Sequence, residues 1–169
     1  MEFNFQITPG AKALYQNGVD FLRAAERCLG MDDNGKVTIV DNGVFRTLAA
    51  PAVVNAAFAC EMFLKSLINK SGKAYPTGRK GHDLKYLYEL LPETVQNFLH
   101  KSFDNNCEDT EKKFVNFLET HSNDFVDVRY YVAHEGWQGM SPIMVYTYTY
   151  NIGNKTKYLL SNWETVVDG

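Results

Sequence analysis

Residues 47–70, "TLAAPAVVNAAFACEMFLKSLINK", constrain the fold more than any other stretch of the chain. From Leu48 to Ile68 only Glu61 and Lys65 carry charge. A helix that is apolar on nearly every side cannot lie on a protein surface and has to be surrounded. Pro51 suits its first turn, where a missing N–H costs nothing. The remaining segments must then supply the helices that enclose it. Glu61 and Lys65 stand four residues apart with the acid first, the spacing of a helical ion pair. In a segment built for burial each needs a partner, because an unpaired interior charge is costly. Arg129, from a later segment, is an alternative partner for Glu61.

The other segments read as such enclosing helices. Residues 8–29 form the first, with Thr8 as cap, Pro9 in the first turn and Gly30 beyond its end. Leu14, Gly18, Phe21, Leu22, Ala25 and Leu29 recur at helical spacing along it. Residues 30–46 are a connection, with turn signals at "DDNG" and "DNG" around the β-branched run "KVTIV". A glycine-rich basic loop, "SGKAYPTGRKG", leads into "HDLKYLYELLPE", a short helix that Asp83 can cap. Its Leu84, Leu87, Tyr88 and Leu91 share one side, and Pro92 opens a further helix to about Phe103. "CEDTEKKFVNFLETHSNDFVDVRYYVAHE" is helical for most of its length, with a break near "HSND". Phe114, Phe117, Leu118, Phe125 and Val128 supply its buried side. In the tail, "PIMVYTYTYNIG" alternates tyrosine and threonine at period two, which favours a strand pairing with "KVTIV". "NKTKYLLSNWETVV" is a final helix. The fold class is all-α, a helical bundle with a small two-stranded β ribbon.

A chain of 169 residues fits one domain and is long enough to bury a true core. With 45% hydrophobic and 22% charged residues it has the composition of a globular protein. No apolar run is expected to reach the length of a membrane span, and the amino terminus lacks the pattern of a signal peptide. Cys28, Cys60 and Cys107 are odd in number and widely spaced, against both a disulfide framework and a zinc site. A reducing cytoplasm is the expected compartment. His82, Asp83, Glu61, His134 and Glu135 lack the helical spacing of a metal site, so neither metal nor cofactor is expected. The net charge of −3 gives no global reason to expect nucleic acid, yet its distribution is uneven. Lys65, Lys70, Lys73, Arg79, Lys80 and Lys85 face a single acid, Asp83, within residues 65–85. Such asymmetry can steer a polyanion to one face, or simply mark a solvated loop.

Two places could carry chemistry. His82 stands at a helix start beside Arg79 and Lys80, where backbone N–H groups and basic side chains together can hold a phosphate. In "DVRYYVAHEG", Arg129 and His134 are five positions apart, so on an ideal helix they point about 140° from one another. They could serve one cleft from its flanks, or a two-fold dimer could bring two copies together. The chemistry they suit is phosphodiester cleavage in RNA. A histidine titrating near neutrality moves the proton at the 2′-hydroxyl or the leaving oxygen. A fixed guanidinium steadies the charge developing on phosphorus.

Taken in order, "AAFACEMFLKSLI", "GHDLKYLYELL" and "RYYVAH" resemble the HEPN superfamily of small helical domains. The alanine-rich helix with its acid and base, the glycine turn into a leucine helix, and R-x4-H match over about residues 8–140. The resemblance implies a single HEPN-like domain, 1–169, with a core of about 8–140 and an extension over 141–169. It implies a four- or five-helix up-and-down bundle that dimerises, bringing two Arg/His motifs into a shared cleft. Many members are metal-independent endoribonucleases, commonly toxins or anti-phage effectors, some paired with an antitoxin. On that reading Arg129 and His134 are catalytic, and Lys73, Arg79, Lys80 and His82 contact RNA. Glu61, Tyr130 and Glu135 then play supporting parts. The tyrosine after Arg129 equally resembles HEPN-like proteins with an "RY…E" arrangement. In those, Arg129 would pair with Glu61 and the domain would bind nucleotide, RNA or protein without chemistry.

Overall fold

The computed structural model describes residues 10–31, 40–41, 44–45, 48–101, 110–122 and 141–167. It is an all-α bundle with one very small β element. The chain runs through α1 (Ala11–Cys28), β1 (Val40–Asp41), β2 (Val44–Phe45), α2 (Ala49–Lys70), α3 (Leu84–Glu89), α4 (Glu93–His100), α5 (Thr110–His121), α6 (Pro142–Ser161) and α7 (Trp163–Val167).

Helix α2 is the centre. Its residues from Ala59 to Ile68 are all buried, Glu61 and Lys65 among them. Helices α1 and α6 pack along it and against each other, and α3 packs on another side. By length and composition α2 could also cross a membrane, so the expectation that no run approaches a span was too strict. Within this fold, 72% of its most apolar window is buried by the chain's own helices, as for a core helix.

Two glycines stop α1 and α2 in the same way. After α1, Gly30 takes a φ of 71°, its N–H bonds Arg27 O at 3.0 Å, and Met31 N bonds Glu26 O at 3.1 Å. After α2, Gly72 at φ 78° bonds Asn69 O, and Lys73 N bonds Ile68 O. This left-handed ending satisfies carbonyls that would otherwise be orphaned, and glycine enters it without steric cost. At its start α1 is capped by Gly10; the Thr8 and Pro9 expected there lie outside the described residues.

The tail corrects the sequence reading. Residues 142–161 form one continuous helix, where the tyrosine–threonine alternation suggested a strand over 142–153 and a helix only beyond it. Val145, Thr149, Ile152, Thr156 and Leu159 are buried at alternating spacings of four and three, a helical stripe that faces the core. Burial of that stripe overrides the β propensity of the residues between. The β ribbon is instead a local hairpin, Val40 pairing Phe45 and Asp41 pairing Val44. Two polar ties anchor α6. Tyr146 Oη donates to Glu26 on α1 at 2.7 Å, and Lys155 Nζ donates to the last carbonyls of α4, those of Phe98, Leu99 and Lys101. A cation at a helix C-terminus meets the negative end of its dipole.

Candidate functional site: a buried charge cluster under the basic loop

The loop between α2 and α3 folds back over the buried charges of α2. Beyond Gly72 the chain passes Tyr75 and Pro76 and enters a short 3-10 turn, Gly78–His82. Gly81 is buried there; a Cβ on it would stand 2.6 Å from Pro76 O and 3.7 Å from Lys65 Nζ, so only glycine lets the turn close this tightly. Asp83 then caps α3, accepting Tyr86 N–H at 3.0 Å. It also accepts from Ser122 Oγ at 3.2 Å, which ties α3 to the end of α5. "GHDL" is thus a folding device: the glycine closes the turn, the aspartate starts the helix, and Leu84 enters the core.

His82 is held against Glu61 as a result. Lys65 Nζ lies 2.6 Å from Glu61 Oε1, and His82 Nδ1 lies 3.0 Å from Glu61 Oε2. The side chains are 11%, 37% and 3% exposed for Lys65, His82 and Glu61, so an interior carboxylate is neutralised by a lysine and steered by a half-open imidazole. Since a carboxylate only accepts, His82 must carry hydrogen on Nδ1. Lys65 also stands over the Tyr75 ring, 5.4 Å from its centre. The pair is therefore not the surface salt bridge its i, i+4 spacing would suggest, and removing either charge would strand the other. Cys60, next to Glu61, is wholly buried; burial first and the Glu61 charge second push its thiol up, which leaves it a packing residue.

The remaining candidates of the basic loop divide. Lys73 Nζ donates to Leu90 O at 2.8 Å, at the C-terminus of α3. Lys80 lies over the Tyr86 ring at 5.3 Å. Arg79 is exposed. Arg129, Tyr130, His134 and Glu135 lie outside the described residues, as do Cys107, Phe125 and Val128. Among the described residues no three His, Cys, Asp or Glu side chains converge as metal ligands. The sequence reading named Glu61, Lys65 and His82 separately and missed Tyr75 as their neighbour. The signal was available, since Tyr75 is the one aromatic residue in an otherwise small and basic loop. Comparison with protein-family models, curated proteins and solved structures finds no match to this chain.

Proposed function

We infer that the chain is a HEPN-like, metal-independent endoribonuclease acting as a homodimer. The observation that carries this reading is the engagement of Glu61. Both its carboxylate oxygens have partners, Lys65 on one and His82 on the other. The acid of the central helix is thereby balanced without Arg129, whose guanidinium is not needed to neutralise it. Partners on both oxygens of Glu61 support a reading in which Arg129 serves phosphate rather than an "RY…E" pair.

In this reading His134 takes the proton of a ribose 2′-hydroxyl. The 2′ oxygen bonds to phosphorus, the bond to the 5′ oxygen breaks, and that oxygen leaves with a proton, giving a 2′,3′-cyclic phosphate. Arg129 stabilises the charge that builds on the phosphoryl oxygens. Two copies of the chain would share the cleft. A role as a toxin or anti-phage effector, with an antitoxin as partner, comes from the resemblance alone.

The test is cleavage of labelled RNA in EDTA by the wild type, His134→Ala and Arg129→Ala. We expect cleavage by the wild type, loss of about 100-fold or more in each variant, and resistance of a substrate with 2′-deoxyribose at the cut. Absence of wild-type cleavage across several RNAs would sink the enzyme. The rival is a binding module without chemistry; the engagement of Lys73, Lys80 and His82 within the fold counts against these three as RNA contacts in either reading. That module would bind RNA, nucleotide or protein and leave every RNA intact.

A further inference from the structure

Three lysines from three helices meet around one pocket, and the charge of the chain as a whole does not account for them. Lys12 in the first turn of α1, Lys70 at the end of α2 and Lys157 near the end of α6 line a pocket of about 400 Å³, with Tyr15 and Leu160 as its apolar walls. Ligand pockets span about 300–1,000 Å³, so the space suits a small organic anion or one unit of a polymer. Among the described residues no acid lines it, although acids outnumber bases in the chain as a whole.

Helix electrostatics explain part of this. Lys70 lies at the negative end of its helix, where a cation is favourable. Lys12 is the exception. It stands at the positive end of α1, where the helix dipole disfavours a cation. Its placement works against its own helix and adds to the charge facing the pocket. From Lys70 the chain continues directly through the stop at Gly72 into the basic loop of the candidate site.

The pocket also continues in the other direction. Tyr15 lines a second, smaller pocket of about 190 Å³ between α1 and α6, with Arg23, Asn154, the half-exposed Tyr150 and one acid, Glu26, which accepts from Tyr146. Basic side chains beside aromatic rings are the combination that holds single-stranded nucleic acid, the cations on phosphates and the rings against bases.

We propose that the pocket of Lys12, Lys70 and Lys157 docks the phosphate backbone of single-stranded RNA, with Tyr15 beside a base. The proposal rests on RNA as the substrate class but not on its cleavage. All three lysines are exposed, so their replacement leaves the core untouched.

The test uses His134→Ala protein in EDTA, with and without Lys12→Gln, Lys70→Gln and Lys157→Gln together, titrated by fluorescence anisotropy with a labelled single-stranded RNA over a range of salt. Each single-strand phosphate contact contributes about 0.7 to the slope of log affinity against log salt, so the triple variant should lose about 2 in slope and at least about tenfold in affinity at low salt. Adenosine monophosphate should compete better than inorganic phosphate, and polyglutamate of equal charge should compete poorly. Unchanged slope and affinity in a triple variant that melts like its parent would overturn the site. Equal competition by inorganic phosphate would make it a free-anion site, and equal competition by polyglutamate a surface for acidic protein; either outcome overturns RNA docking. RNA that binds through these lysines but is never cut by the wild type retains the site and removes only the enzyme. Cleavage with unaltered binding in the triple variant does the reverse.

Discussion

Loss of the Glu61 carboxylate would leave Lys65, 2.6 Å away and nearly as buried, without its anion. Breaking a buried pair from one side costs about 3–5 kcal/mol. Glu61→Gln should therefore lower the urea midpoint sharply, and Glu61→Met with Lys65→Met should recover much of the loss by removing both charges. His82→Ala should cost less than about 1 kcal/mol, because the ring is over a third exposed and its attraction to Glu61 is screened. Lys155 gives a pH prediction. Burial lowers its ammonium from 10.5 to about 8. Between those values the unfolded chain holds more of this proton than the folded one, so this group makes stability rise with pH. The stability of the wild type minus that of Lys155→Met should increase from pH 7.5 to pH 10, measured by urea titration at each pH. Tyr88, pushed up to about 12 by burial and by the Glu111 charge, acts in the opposite sense, but it is common to both proteins and cancels. Single residues were legible where their role was local. The Asp83 cap follows from four consecutive positions, whereas the His82–Glu61 contact spans 21 residues and needs the turn at Gly81 to be in place.

Helices in this bundle approach closely at Phe63. A Cβ at Gly18 on α1 would stand 2.5 Å from the Phe63 ring, and one at Gly153 on α6 would stand 2.8 Å from its other edge. The ring of α2 thus fills space that two glycines leave open. Gly153→Ala gains up to about 1 kcal/mol of helix propensity but overpacks at a cost of about 1–3 kcal/mol. The net effect should be a loss in thermal stability, relieved when Phe63→Leu is added; a double-mutant cycle should show coupling of at least about 0.5 kcal/mol. Elements whose apolar pattern and stop signals agree were readable. Helices α1 and α2 fall within two residues or so of their expected C-terminal limits because Gly30 and Gly72 mark the stops. Helix α6 was misread because its tyrosines and threonines alternate at period two while its buried positions follow a period of 3.6. Tyr150 points outward and carries part of the strand-like signal without being part of the core. Here the pattern of residue types differs from the pattern of burial, and only the packing of α6 on α2 separates the two.

For the whole molecule, the bundle follows from one demand, the enclosure of α2, and that demand is visible in sequence. The site is less so. Glu61 and Lys65 were visible as charges that a core should not leave unpaired and His82 as a candidate phosphate contact, but Lys12 and Lys157 join Lys70 only through the docking of three helices far apart in sequence. The proposed dimer belongs to this scale as well. Arg129 and His134 would diverge by about 140° on an ideal helix, so in the proposed dimer each copy contributes part of the cleft that surrounds a phosphate. If that dimer is the active form, association is a condition of activity and activity follows mass action. Per mole of chain, RNA cleavage should be constant at concentrations above the dimer dissociation constant and fall in proportion to concentration well below it. Sedimentation equilibrium should place the monomer–dimer midpoint at that same concentration. If each cleft requires both motifs, adding excess His134→Ala chain to dilute wild type should inhibit it by forming mixed dimers, whereas a monomeric enzyme would be indifferent to the added chain. Constant specific activity across the dissociation midpoint would show that a single copy holds the whole site, with its own Arg129 and His134 serving one phosphate from the two flanks of a cleft.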